Sequence, residues 1–357
     1  MNVIILAAGR GTRFDSKDPK CLSMVDNQSI ISRIISQINN YIPDANIKLI
    51  VGYKSEIIKN HTSKFDLSYI FNDKFMEDKN IWSVFLGIEN SKNGVLIIEG
   101  DCVYDNQSFL EISKSLGKES VVFLGDQADQ KKLNGVIKVK NGYFDDFFIG
   151  RKNSLMNKNH FNMSGAFWIS KKDILSFRKE IFSLSAKNLD FYYFIPLFNK
   201  NKFKLKCKQL SGKRYTFNTQ AEYNHMLKNF VFMDYFEVSK LKHIEGFSRR
   251  RVNWLKDKIL DEKIWTKPVC IDPDGLVMDG QHRMEVSKEL GLKKIPVVIF
   301  DYNSVEIYSL RKNHKVTVEL IKQKVKQNDL YPYKTVKHKF PVEIKNCIIS
   351  LNNLYEN

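Results

Sequence analysis

Apolar and polar positions fall into short runs of alternating type from the start of the chain. Asn2–Ala7 reads as an apolar β-strand, and Ile30–Ile42 carries its isoleucines at helical spacing. Ile47–Val51, Leu67–Phe71 and Val95–Glu99 read as further strands, with Ile81–Glu89 helical before the last of them. This alternation predicts βαβ units and a mainly parallel sheet covered by helices. After Asp105 the pattern changes. Val121–Leu124, Gly135–Val139, Gly142–Phe148 and Ala166–Ile169 read as strands of a mixed sheet, and Asp173–Phe182 and Phe191–Asn199 as helices. A second unit is expected from near Phe230. There Val252–Ile259 reads as a helix, Pro268–Asp272 as a strand, Arg283–Leu290 as a helix stopping at Gly291, and Val297–Phe300 as a strand. The stretch after Lys315 has helical character and ends in a polar tail. No Pro/Gly/Ser-rich linker marks the junction.

A chain of 357 residues suits two domains with sizeable cores. Its 43% hydrophobic and 27% charged residues exclude a mainly disordered or fibrous chain. No apolar run reaches the roughly 18 residues needed to span a bilayer. The apolar start has no basic region before it, so it reads as a strand and not a secretory signal. Cys21, Cys102, Cys207, Cys270 and Cys347 lie far apart with no CxxC pair, which disfavours a zinc or disulfide framework and fits a cytoplasmic protein. The net charge is +17, of which residues 231–357 carry +6 from 23 Lys+Arg against 17 Asp+Glu. Nucleotides and phosphorylated metabolites fit that balance as well as nucleic acid does, and so do plain solvated lysines.

Candidate chemistry begins with Leu6-Ala7-Ala8-Gly9-Arg10-Gly11-Thr12-Arg13-Phe14, followed by Pro19-Lys20. Two glycines directly after a buried strand let backbone N–H groups approach a triphosphate, and Arg13 and Lys20 supply cations for its α- and β-phosphates. A glycine pair alone reads equally as a tight turn, and the spacing is neither that of a P-loop nor of a dinucleotide fingerprint. The whole stretch resembles the signature loop of nucleotidyltransferases of the sugar-phosphate and MobA-like type. Val51-Gly52-Tyr53, Phe71-Asn72-Asp73-Lys74-Phe75, Asn80-Ile81-Trp82-Ser83 and Glu99-Gly100-Asp101 resemble the choline-phosphate cytidylyltransferases within it. The resemblance implies an α/β, Rossmann-like nucleotidyltransferase domain with a mixed sheet over residues 1–228. It implies nucleotide contacts from Leu6, Ala7, Ala8, Gly9, Gly11, Thr12, Asn72, Asn80 and Ser83, and Mg²⁺ on Asp101 at the carboxyl end of its strand. Asn218 stands where the family usually has a second metal-binding Asp, and an amide adds no charge. Asp190 matches an acidic position that faces the acceptor's cationic head in the choline-type subgroup; as a bare residue it reads equally as a helix N-cap.

A second motif, Val277-Met278-Asp279-Gly280-Gln281-His282-Arg283, lies between a strand and a helix, with Lys267-Pro268 and Leu241-Lys242-His243-Ile244-Glu245 upstream. Gly280 permits a sharp turn, and the helix that follows offers free N–H groups to a phosphate. This set resembles the ParB/sulfiredoxin-like fold, and within it the free-serine kinases that carry Asp-Gly-His-His-Arg, with Gln281 in place of the first His. The resemblance spans roughly 231–315 and implies a smaller α+β domain over 231–357 with a helical C-terminal extension. It makes Glu245 the general base on a serine hydroxyl. Asp279 would hold Mg²⁺, and Lys267, Gly280, Gln281, His282 and Arg283 the nucleotide. ParB proteins share this fold and bind CTP.

Together the two resemblances imply a bifunctional cytoplasmic enzyme. Its C-terminal domain would phosphorylate L-serine from ATP, and its N-terminal domain would join O-phospho-L-serine to CMP from CTP. The product would be CDP-L-serine, a head group for surface polysaccharide. The alternative keeps a cytidylyltransferase for phosphocholine or phosphoethanolamine beside a regulatory or DNA-binding ParB-like domain. Nucleic acid is the disfavoured partner, since no helix-turn-helix follows the second motif. A homodimer stays open.

Overall fold

The computed structural model describes all residues except 15, 26–27, 129–134, 150–157, 200–201, 230–232, 345, 348 and 356–357. Two compact units divide the chain, Met1–Leu227 and Lys228–Asn357. The expected junction near Phe230 lies outside the described residues.

The first unit is built on a nine-stranded sheet. Strands β1 (Asn2–Ala7), β2 (Asn46–Val51), β3 (Ser68–Phe71) and β4 (Val95–Glu99) run parallel in the order β3-β2-β1-β4. Val3, Ile4 and Ile5 of β1 are wholly buried, as a strand covered by helices on both faces requires. The crossover helices are α1 (Ile30–Tyr41), α2 (Ser55–Thr62) and α3 (Ile81–Ile88). Helix α1 starts where the Ser29 hydroxyl accepts from the Ser32 N–H, and it buries Ile30, Ile31, Ile34, Ile35 and Ile38. After α4 (Asn106–Ser113) the sheet becomes mixed. Strand β8 (His160–Ile169) joins β4 antiparallel, and β5 (Val121–Gln127), β9 (Lys206–Gln209), β7 (Tyr143–Ile149) and β6 (Gly135–Lys140) follow in that order. Helix α5 (Ile174–Ser185) packs against α3, and α6 (Gln220–Asn229) closes the unit.

One expected helix is absent. Phe191–Asn199 forms only a 3-10 turn at Pro196–Phe198. Pro196 lacks the N–H that a continuing helix needs. The rings around it pack into the core instead, Phe198 stacking on Phe144 at 4.3 Å between centroids and Phe194 meeting Phe147 at 5.3 Å.

The second unit is α+β. Its sheet runs β10 (Asp234–Glu237), β13 (Lys294–Ile299), β11 (Val269–Ile271), β12 (Val277–Asp279), with β11 and β13 parallel. Helices α7 (Arg249–Glu262) and α8 (Gln281–Glu289) pack together over a core that includes Val252, Val269, Val277 and Met284. The stretch after Lys315 is helical at α9 (Val318–Lys326) and in a last short helix, α10 (Leu351–Tyr355). Between the two, β15 (Val336–Lys339) pairs antiparallel with β14 (Glu306–Ser309). Among the described residues of both units, no helix is long and apolar enough to cross a membrane.

Candidate active sites

The first site lies at the carboxyl ends of β1 and β4, where open α/β sheets leave a crevice for ligands. The chain leaves β1 through Ala8–Phe14, turning at Gly11, whose φ of +61° favours glycine. At Gly9 a side chain would meet only open space, so the backbone there is accessible to a ligand. A cavity of about 580 Å³ opens beside this loop. Leu6 through Phe14, Lys20, Asn72, Lys79, Asn80, Ser83, Glu99, Asp101, Tyr192, Thr216 and Asn218 are among its walls. Every residue expected to touch nucleotide or metal in this unit lines the cavity, and Asp190, expected at the acceptor's head, is not among the lining residues.

The charges at its base are arranged around Lys20. Only 8% exposed, Lys20 places its Nζ 2.6 Å from Asp101 Oδ2 and 4.8 Å from the centre of the Phe217 ring. Glu99, at the end of β4, faces the same point. Burial, and then the charge of Asp101, pushes its carboxyl up to about 7 against the pull of Arg214 and Lys20. Donor atoms of Glu99, Asp101 and Cys102 fall within 4.8 Å of one another. Burial pushes the Cys102 thiol up to about 12, so it stays protonated and leaves a set of hard oxygen donors. That donor set fits a cation such as Mg²⁺ and not a thiolate-bound metal.

Three residues expected at the ligand instead bind the protein through their polar groups. Asn72 is fully buried, donating to Asp78 Oδ2 (2.8 Å) and Ser83 Oγ (2.9 Å) and accepting from the Lys74 N–H (2.9 Å). Ser83 donates to Asp78, which also accepts the Trp82 and Ser83 N–H groups at the start of α3. Asn80 Oδ1 accepts from the Tyr193 N–H at 2.9 Å. The sequence places these residues at the site, and their side chains shape its wall. Asp190 caps no helix; its carboxylate pairs with Lys79 Nζ at 3.0 Å. Glu99 went unassigned in the sequence, although a lone acid ending an apolar strand was the available sign. Lys79 gave no sign, being one lysine among many.

The second unit gathers its own cavity of about 740 Å³, lined by Glu245, Lys267, Asp279, Gly280, Gln281, His282 and Arg283. These residues come from the loop before α7, the lead into β11, the end of β12 and the start of α8. Gly280 makes the turn at φ +104°, a conformation closed to most side chains, and is the N-cap of α8. Arg283 reaches back one turn to Asp279 Oδ2 at 3.0 Å, and its Nε is buried without a partner. Glu245 Oε2 accepts the Thr335 and Val336 N–H groups at 2.8 and 2.9 Å, which fixes the carboxylate at the cavity wall. His282 Nε2 accepts from the Ser248 N–H at 3.2 Å, so that nitrogen carries no proton. Burial, with Arg251 and Arg283 nearby, holds His282 below the ordinary histidine range.

Two histidines add to this picture. His243 bridges Gln281 Oε1 and Glu285 Oε1, the latter at 2.7 Å, tying the segment that carries Glu245 to α8. His338, on β15 and 5% exposed, lines the cavity; burial lowers it to about 4 against the Met278 backbone and Asp279, which raise it. No role was assigned to His338 from the sequence.

Comparison with known proteins finds relatives of two kinds. Residues 3–132 match the MobA-like NTP transferase domain. The chain is 31% identical over 148 residues to a bifunctional GlmU protein of Methanococcus aeolicus, covering 40% of this chain and 34% of the relative. It is 31% identical over 119 residues to choline-phosphate cytidylyltransferase of Streptococcus pneumoniae, covering 32% and 51%. A stretch of 76 residues is 37% identical to an ATP-dependent L-serine kinase of Desulfurococcus mucosus, covering 20% of this chain and 30% of that one. The matched part thus spans from under a third to about half of these curated relatives. Among solved structures, the CTP:phosphocholine cytidylyltransferase of Streptococcus pneumoniae superposes with a TM-score of 0.54 at 22% identity, covering 63% of this chain and 97% of that one. The first unit therefore has the Rossmann-like nucleotidyltransferase fold, and the chain also carries a serine-kinase-like region.

Proposed function

We propose that the chain is a bifunctional enzyme in which the second unit phosphorylates L-serine from ATP and the first transfers CMP from CTP to O-phospho-L-serine. The observation that carries the transferase half is the meeting of the Gly9–Arg13 loop, buried Lys20 and Asp101 in one cavity. A phosphate oxygen of O-phospho-L-serine attacks the α-phosphorus of CTP; the bond from that phosphorus to the β-phosphate bridging oxygen breaks, and pyrophosphate leaves. Loop N–H groups, Arg13 and Lys20 hold the triphosphate charge in line for attack. Asp101, with Asn218 on the same cavity wall, would hold Mg²⁺, which would supply charge neutralisation on the reacting phosphates. CDP-L-serine formed this way is an activated head group suited to surface polysaccharide.

In the second unit, Glu245 takes the proton of the serine hydroxyl as its oxygen bonds to the γ-phosphorus and ADP departs. The two N–H bonds to Glu245 Oε2 orient it for that role. Lys267, His282, Arg283 and the N-terminus of α8 hold the nucleotide phosphates, with Asp279 as the carboxylate for Mg²⁺. Glu245 and Asp279 line one cavity together with Lys267, His282 and Arg283, and that supports the kinase half.

The two chemistries separate by substitution in the full chain. Asp101→Asn is expected to lower pyrophosphate release from CTP and O-phospho-L-serine by at least about a hundredfold while ADP formation from ATP and L-serine persists. Glu245→Gln is expected to do the reverse. Loss of both activities in either folded variant contradicts a two-site enzyme.

A further inference from the structure

Beside the transferase cavity stands a pair of opposite charges that the chemistry above leaves unused. Lys79 lines the cavity, and its Nζ lies 3.0 Å from Asp190 Oδ1 and 5.2 Å from the centre of the Tyr192 ring. The side chains are 41% and 66% exposed, and an exposed ion pair by itself adds little stability. This pair is nonetheless held from both sides. The Lys79 N–H donates to the Leu189 carbonyl at 3.1 Å, and the next residue, Asn80, accepts from the Tyr193 N–H at 2.9 Å. The backbone carrying the cation and the backbone carrying the anion are thus stitched together at the cavity rim. The carboxylate and the ammonium are thereby presented side by side at the rim.

The arrangement selects for a particular kind of ligand. A quaternary ammonium is attracted by a carboxylate and by an aromatic face. Here Asp190 and the Tyr192 ring are both already engaged by the ammonium of Lys79. An acceptor bearing only a positive head would have to displace that lysine. An acceptor bearing an ammonium and a carboxylate on one carbon need displace nothing. Its carboxylate meets the remaining N–H groups of Lys79, and its ammonium meets Asp190 Oδ2, which carries no hydrogen bond among the described residues. The four charges then alternate in sign.

We infer that Lys79, set against the acid that the choline-type resemblance already places at the acceptor's ammonium, completes a zwitterion reader that makes the transferase site specific for a phosphorylated amino acid. Lys79 takes the α-carboxylate and Asp190 the α-ammonium. The inference rests on the nucleotidyl-transfer reading of this cavity, and it adds a residue that acts on acceptor choice alone.

The test measures pyrophosphate release by the full chain with Mg²⁺ and CTP, using O-phospho-L-serine, phosphoethanolamine and phosphocholine as acceptors. Phosphoethanolamine is O-phospho-L-serine without its carboxylate, so the ratio of their kcat/KM values reports the carboxylate contact. We expect wild type to favour O-phospho-L-serine by about tenfold or more. Lys79→Met is expected to bring that ratio down by about tenfold, and Lys79→Arg to restore most of it. The inference is overturned if wild type uses phosphoethanolamine or phosphocholine as well as O-phospho-L-serine. It is also overturned if Lys79→Met lowers all acceptors in proportion. Absence of pyrophosphate with every acceptor in wild type removes the transferase reading itself, a result distinct from loss of preference among active acceptors.

Discussion

His338 shows how much one side chain can reveal. It is 5% exposed, and burial lowers it to about 4 from the ordinary 6.5, outweighing the Met278 backbone and Asp279, which raise it. Between those values the unfolded chain binds a proton that the folded one does not, so the stability due to the neutral ring is present above about pH 6.5 and lost as pH falls to 4. Replacing His338 with Phe removes this dependence. Calorimetric unfolding is expected to show His338→Phe gaining on wild type by up to about 3 kcal/mol between pH 7 and pH 4. A stability difference that stays constant over that range contradicts the assignment. The residue was hidden in the sequence because Val336-Lys337-His338-Lys339 looks polar, although buried and exposed positions alternate along it. Lys79 was hidden for another reason. Only the placement of Asp190 beside it, more than a hundred residues later in the chain, gives that lysine meaning.

At the scale of elements, legibility followed the strength of the local pattern. Strands β1, β2 and β4 were readable because buried parallel strands are near-continuous apolar runs, and Asp101 was readable because it follows such a run. The expected helix over Phe191–Asn199 failed where Pro196 and five aromatic rings favoured core packing over helical hydrogen bonds. Helices α2 and α4 went unread because each is a short eight-residue element with few buried apolar positions or a mixed face. The β12–α8 junction is the element on which the second site depends. A Cβ at Gly280 would lie 2.9 Å from Arg283 Nη2 and 3.1 Å from Val269 Cγ2, at a φ of +104°. Gly280→Ala is expected to cost about 1–3 kcal/mol in denaturant unfolding and to weaken nucleotide binding in the second unit by displacing Arg283. An unchanged midpoint with unchanged binding contradicts the strain assigned to this turn.

For the molecule as a whole, each unit brings its own charged cavity, and the two chemistries assigned to them share an intermediate. The first cavity has a glycine-bearing loop, a buried lysine paired to a carboxylate, and clustered oxygen donors. The second has a backbone-anchored glutamate facing an Asp-Gly-Gln-His-Arg turn. Both constellations were visible in the sequence as motifs with fixed spacing. What the motifs could not supply was which polar groups remain open to a ligand, because that depends on partners far away in the chain, as for Asn72, Asn80 and Ser83. The most direct measurement is phosphorus-31 NMR of the full chain with Mg²⁺, CTP, ATP and L-serine, each omitted in turn. The account predicts a new pyrophosphate-diester signal and free pyrophosphate that require all three organic substrates, with O-phospho-L-serine replacing serine and ATP together. A diester that forms without serine, or no diester even when O-phospho-L-serine is supplied, contradicts it.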